Sequence, residues 1–278
     1  VTTELVHHLA SAGTAAALRK AFDYAYLGAE QAARGLGWEE AVRLYEIALD
    51  VGSRSGSLDP RRALEVKLAL ARALRGAGDV AAARARCEEV MLACRRTPDS
   101  EAFARAALVY AGPMPEFGRV EPAVRAVLES ACRTKLPLDD VLRARLSARL
   151  AGDLIAANEI EQAERIFALC DDAAAAARRA GAPGALAIAL MGTYMAASMG
   201  MPPVAPGGVP SSQEILEAAE AGGEHEYAAS IRYWRAMVLL GIGEPVAFSG
   251  EIDGLATEAA VSRVPEALWM ADGLAALQ

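Results

Sequence analysis

Aromatic side chains are scarce in this sequence. They make up 5% of 278 residues, while hydrophobic residues as a whole make up 54%. The apolar content is therefore mostly Ala, Leu and Val, which suits close helix packing and leaves little for β-sheets. No run of alternating apolar and polar residues with turn signals at hairpin spacing is present. Lysine is nearly missing: Lys20, Lys67 and Lys135 are the whole complement. None of them follows a glycine, so there is no P-loop, and no G-x-G-x-x-G follows a strand. The formal charge of −8 argues against direct nucleic-acid binding by this segment. What positive charge there is comes almost entirely from Arg.

Metal and nucleophile chemistry lacks its usual residues. His7 and His8 are adjacent and point in different directions. His225-Glu226 has no second His four residues on, so it is not a zinc-protease motif. Cys87, Cys94, Cys132 and Cys170 form no C-x-x-C pair, and no His stands at ligand spacing from them. Cys87 and Cys94 are seven apart on one helix, too far for a bridge within it. All four read as small core hydrophobes in a reducing, cytoplasmic setting. Gly52-Ser53-Arg54-Ser55-Gly56 does not place a serine at the centre of G-x-S-x-G. Asp139-Asp140 and Asp171-Asp172 are adjacent rather than opposed, and read as a helix start or a solvent face. No catalytic residue, metal or cofactor is expected, and the chain reads as not an enzyme.

Residues 180–213 carry no charge at all. The apolar part, 184–201, is Ala-rich and interrupted by Gly192, Thr193, Tyr194, Ser198 and Gly200. It reads as a buried helix, with no membrane span. Met191, Met195, Met199 and Met201 read as core, with an adaptable apolar groove as the alternative. No signal peptide opens the chain. It starts at Val1 and helical material follows at once, which reads as a segment of something longer.

What is present is a repeat. Trp38–Leu49 forms one helix in which Ala41, Tyr45 and Ala48 share a face at spacings of four and three. The same arrangement recurs as Ala83/Cys87/Val90, Ala123/Val127/Ser130 and Ala163/Phe167/Cys170. The anchors lie 42, 40 and 40 residues apart. Such a period predicts stacked helix pairs. Breakers and caps place helices near 3–12, 15–34, 38–49, 61–76, 80–96, 100–112, 120–133, 138–156, 159–180, 185–199, 212–221, 224–241, 245–260 and 265–277. Asp79 and Ser211 or Ser212 are the predicted N-caps of two of them. The whole of 1–278 reads as one helical-repeat domain, regular over 1–180. Over 181–278 the repeats degenerate around a Pro/Gly loop at 200–212. The last helix reads as a cap or as the first half of a further repeat.

Gly78-Asp79-Val80-Ala81-Ala82-Ala83, followed by Cys87 and Val90, resembles the second helix of a tetratricopeptide repeat, with Ala71 as the small position of the first helix. That resemblance implies a right-handed superhelical solenoid of antiparallel pairs, about six here, with first helices lining a concave face. A narrower resemblance lies in Glu4-Leu5-Val6-His7-His8-Leu9, Ala21-Phe22-Asp23-Tyr24-Ala25 and Ala41-Val42-Arg43-Leu44-Tyr45-Glu46. These look like the junction after the ATPase module in large ATP-binding regulators of the LuxR family, of the actinobacterial type. It implies a non-catalytic segment that senses inducers or regulatory proteins. The alternative is a free-standing tetratricopeptide-like scaffold.

Counting outward from the packing positions puts Tyr26, Glu30, Leu68, Arg72, Arg75, Arg105, Arg145 and Arg149 near the concave face. Tyr194, Arg232 and Tyr233 continue it. The expected partner is a protein, a peptide or a small-molecule inducer on that face. Five Arg in the central repeats suit an acidic or phosphorylated ligand, against local pairing with Glu. Self-association into a homo-oligomer is a further expectation.

Overall fold

The computed structural model describes residues 2–56, 58–115, 120–133, 137–201, 208–262 and 265–277. The expected Pro/Gly loop falls largely on 202–207, outside the described residues. The chain is all-α: fourteen helices and one 3-10 turn occupy the described residues, with no strand among them. Helices pack in sequence on their neighbours, in the manner of an all-α repeat solenoid. No described helix is long and apolar enough to cross a membrane.

The chain divides into two compact units. Unit 1 comprises residues 1–113 with 133–137, and unit 2 comprises 114–132 with 138–278. Unit 1 holds α1 (Thr2–Ala12), α2 (Ala15–Arg34), α3 (Trp38–Ser55), α4 (Pro60–Gly76), α5 (Val80–Arg96) and α6 (Ser100–Ala111). Unit 2 holds α7 (Pro122–Cys132), α8 (Asp140–Ala156), α9 (Ala163–Ala180), α10 (Pro183–Ser198), α11 (Ser212–Gly222), α12 (His225–Ile242), α13 (Pro245–Ser262) and α14 (Pro265–Ala275).

Local sequence explains most helix ends. Asp59, Asp79, Asp99, Asp139 and Ser211 each accept a backbone N–H from the first turn of the helix that follows. Asp139 of the adjacent acidic pair is thus a cap. Gly56, Gly181, Gly223 and Gly243 end their helices in the left-handed region, where a side chain is penalised. Helix α3 runs on to Ser55, past the end expected near residue 49, and carries Gly52 inside it. That glycine is buried with Phe22 and Leu58 where a Cβ would stand, so it is a packing position inside the helix.

Unit 1 is built on small residues. Ala25 and Ala29 of α2 are fully buried, as are Ala41 and Ala48 of α3, with Tyr45 filling the space beside them. The N-terminal end of α3 meets the C-terminal end of α4 at Trp38, whose ring lies 2.4 Å from where a Cβ on Gly76 would be. The repeat anchors Ala83, Cys87 and Val90 are all fully buried in α5.

In unit 2, Ala163, Phe167 and Cys170 face the core as the repeat predicts. The third anchor does not. Ala123 and Ser130 are exposed, and Val124, Leu128 and Ala131 are buried instead, one residue later. Burying Val, Leu and Ala removes more apolar surface than burying Ala, Val and Ser. It also keeps the Ser130 hydroxyl in water rather than desolvated. The uncharged stretch forms α10, which packs on α8, α9, α11 and α12. Met191, Met195 and Met201 are buried there and Met199 packs beside them as core. Helices α10 and α11 approach closely: a Cβ on Gly222 would stand 2.3 Å from the Cα of Gly184.

Candidate functional site

Helices α2 and α4 of unit 1 are the first helices of the α2–α3 and α4–α5 pairs, and α6 packs on α4 and α5. On α2, Tyr26 and Glu30 stand one turn apart and both are half-buried. Tyr26 stacks on Phe22 at 6.1 Å between ring centroids and meets the edge of Tyr45 at 6.0 Å. The Tyr45 hydroxyl donates to the Glu30 carboxylate. Residues 30 and 45 lie at nearly equal distances either side of Gly37, so an antiparallel hairpin turning there brings them level. Burial holds the Tyr26 phenol above its usual range, with Glu30 and Glu65 adding to it and Arg72 of α4 opposing. Tyr26, Glu30 and Arg72 thus share one electrostatic neighbourhood. Arg72 is exposed.

The other two Arg expected on this face, Arg75 and Arg105, are both engaged. Arg75 donates to the carbonyls of Val109 and Tyr110 at 2.9 and 2.8 Å, satisfying the last turn of α6. Arg84 lies over the Tyr110 ring at 5.1 Å. Arg105 pairs with Glu101 one turn back on its own helix, at 3.2 Å. Leu68 is buried at 4% exposure rather than open on the face. A separate groove of about 710 Å³ runs between α3, α4 and α5. Glu46 and Asp50 lie on its α3 wall, and Lys67 and Arg86 both bind Glu89, each at 2.7 Å.

Unit 2 treats its predicted residues differently. Arg145 pairs with Glu224, the residue before α12. Arg149, expected on an open face, is buried at 5% exposure. Both lie close enough to Tyr227 of α12 for their charges to act on its phenol. Burial is the larger influence and pushes that phenol up. Tyr194 is half-buried against the α8–α12 core. Arg232 pairs with Glu220 at 2.5 Å and with Glu251 at 3.5 Å, and Arg235 joins it on Glu251 at 2.7 Å. A Cβ on Gly254 would stand 2.6 Å from the Arg232 guanidinium, so α13 admits that side chain only because the position is bare. Tyr233 meets the edge of Trp234 at 5.9 Å.

The structure therefore joins Tyr26, Glu30 and Arg72, and separately joins Arg145, Arg149 and Tyr227. It does not gather the central Arg into one open stripe, because partners or burial take up Arg75, Arg105, Arg145 and Arg149.

Sequence reading missed Arg125. With α7 turned by one residue, its guanidinium reaches Asp153 of α8 at 2.8 Å and also holds Glu159. Asp153 is 7% exposed. These partners are 28 and 34 residues away, and no local pattern marks them. Cys87, Cys94 and Cys170 are free thiols, and all three are buried. Among the described residues no cluster of His, Cys, Asp or Glu has the geometry of a metal site. No family model matches the chain, and no curated protein matches its sequence.

Proposed function

We propose that this chain is a non-catalytic binding module that takes a protein or peptide partner on the first-helix face of unit 1. The observation that carries the reading is the Tyr26–Glu30–Arg72 group. Half-buried aromatic and carboxylate groups on α2 stand beside an exposed guanidinium on α4. Tyr and Arg are among the side chains that most often anchor a partner, and here the Tyr26 ring is already ordered by packing on Phe22 and Tyr45. Stacked helix pairs present such a face continuously and couple it only through neighbouring repeats.

The resemblance of residues 4–46 to the junction in large LuxR-family regulators supports a finer reading. The module is then the sensing segment of a bacterial transcriptional regulator, working in the reducing cytoplasm that free buried thiols suit. Binding shifts the curvature between adjacent repeats, and that shift is the signal. The coding sequence flanking these residues tests this finer reading. An upstream P-loop ATPase with a downstream helix-turn-helix supports it, and a frame with neither overturns it.

The binding face is tested by placing a photo-crosslinking phenylalanine at Tyr26 of the full chain in cells. The expected result is a discrete protein or peptide adduct that Arg72→Glu abolishes. No adduct, or one indifferent to Arg72→Glu, overturns the reading.

A second reading, a scaffold that self-associates through α14, draws on Trp269, which is 69% exposed. Deleting residues 265–278 halves the solution mass if that reading holds and leaves the assembly state unchanged if it does not.

A further inference from the structure

Helices α8, α10 and α12 are the first helices of the pairs in unit 2. On α8, Arg145, Arg149 and Gly152 recur at spacings of four and three and so share a face. On α12, Tyr227 and Ser230 share a face in the same way. Arg145 pairs with Glu224 at the start of α12, and the charges of Arg145 and Arg149 act on Tyr227, so these two faces are neighbours. Helix α10 packs against both.

That inner face is occupied. The Pro115 ring lies over Gly152, with its Cγ 3.5 Å from where a Cβ would be. Met114 packs on the α8–α12 core, and the Ser230 hydroxyl donates to its sulfur at 3.8 Å. Two consecutive residues of irregular backbone therefore bridge α8 and α12.

The fit has three features of an exchangeable ligand. Ser230 is 4% exposed, yet the partner of its hydroxyl among the described residues is a thioether, a weak acceptor. A buried hydroxyl gains more from a carbonyl, which any peptide backbone supplies. Gly152 sits in mid-helix, where glycine is less favourable than alanine, and it leaves a dent that the Pro115 ring covers. Met114 and Pro115 are partly buried and lie outside any helix, so their release breaks no helix. Methionine is also the apolar side chain that adapts best to irregular space.

We propose that the α8–α12 face is a docking site for an extended apolar peptide bearing an unbranched side chain followed by proline. Met114–Pro115 is its resident, self-inhibiting occupant. A partner segment of the same chemistry competes with it. This site is independent of the Tyr26–Arg72 face, and either fails without the other.

The probe is a capped synthetic peptide, Ala-Gly-Pro-Met-Pro, copying residues 111–115. The full chain carries ¹³C-methyl methionine, and Met114→Leu assigns the Met114 signal. Millimolar peptide is expected to move that signal to the position of a solvated methionine, leaving Met191 and Met195 unmoved. In the full-length Met114→Ala/Pro115→Ala variant the same peptide binds about ten-fold tighter than in the wild type, because the competent state is no longer occupied. Adding Gly152→Leu removes that gain. An unmoved Met114 signal overturns the proposal. So does equal affinity of wild type and variant, or binding indifferent to Gly152→Leu. The wild-type measurement stands even if the double variant fails to fold.

Discussion

Arg125 and Asp153 are joined at 2.8 Å between α7 and α8, and the Arg125 guanidinium also holds Glu159. Asp153 is 7% exposed, so the acid depends on this partner. Truncating one member of a buried pair leaves the other charge desolvated, at about 3–5 kcal/mol. Arg125→Met is therefore expected to lower stability by about that much in urea unfolding. The double variant Arg125→Met/Asp153→Leu is expected to recover most of the loss. A loss below about 1 kcal/mol for the single variant would show that water reaches and solvates the acids.

Gly222 sets the approach of α10 and α11. A Cβ there would meet the Gly184 Cα and N, each at 2.3 Å, and backbone cannot swing aside as a side chain can. Gly222→Ala is expected to cost at least as much as a typical overpacked core position, about 1–3 kcal/mol. Gly250→Ala in α13 meets nothing within 4 Å and is expected to be neutral or slightly stabilising. Thermal melts of the two variants check the contrast.

The buried thiols predict alkaline sensitivity. Burial pushes Cys87 and Cys170 up to about 12, and Cys94 up to about 11. A group whose value is raised on folding contributes stability that is complete below its unfolded value. That contribution disappears as pH rises through the folded one. Stability is therefore expected to fall from about pH 8.5 upward, where unfolded thiols ionise. At pH 8 a disulfide reagent is expected to leave these three unmodified until the chain unfolds. Rapid native labelling of Cys87 or Cys170 would contradict their burial.

Glu89 predicts the opposite dependence. Desolvation pushes its carboxyl up, but hydrogen bonds and charge from Lys67 and Arg86 outweigh that and hold it below the usual carboxylate range. A value lowered on folding contributes stability above the unfolded value, and loses it as pH falls through the folded one. Glu89→Gln is expected to flatten the fall in melting temperature between about pH 5 and pH 3, around the unfolded Glu value near 4.3. The effect is small, because the pair is 32–40% exposed.

The sequence by itself determined the helices and their pairing. Asp79, Asp139, Ser211 and the terminal glycines act within one turn of backbone, so their roles are local and readable. The Ala41/Tyr45/Ala48 pattern and its copies in α5 and α9 specify a buried face for the same reason. Even the Tyr45–Glu30 bond follows from where the hairpin turns.

Tertiary structure alone decided the rest. Two faces of α7 were each regular enough to be the buried one, and the larger apolar area won, carrying Arg125 to acids far along the chain. Arg75 and Arg149 sit at positions that look solvent-facing on an isolated helix. One is drawn to the open carbonyls of α6, and the other is buried beside Tyr227. Such outcomes depend on which groups arrive from elsewhere to share a low-dielectric space, and helical spacing carries no record of that. Met114–Pro115 is the clearest case. In sequence it is a helix-breaking connection, and only packing shows it lying across the inner face of α8 and α12.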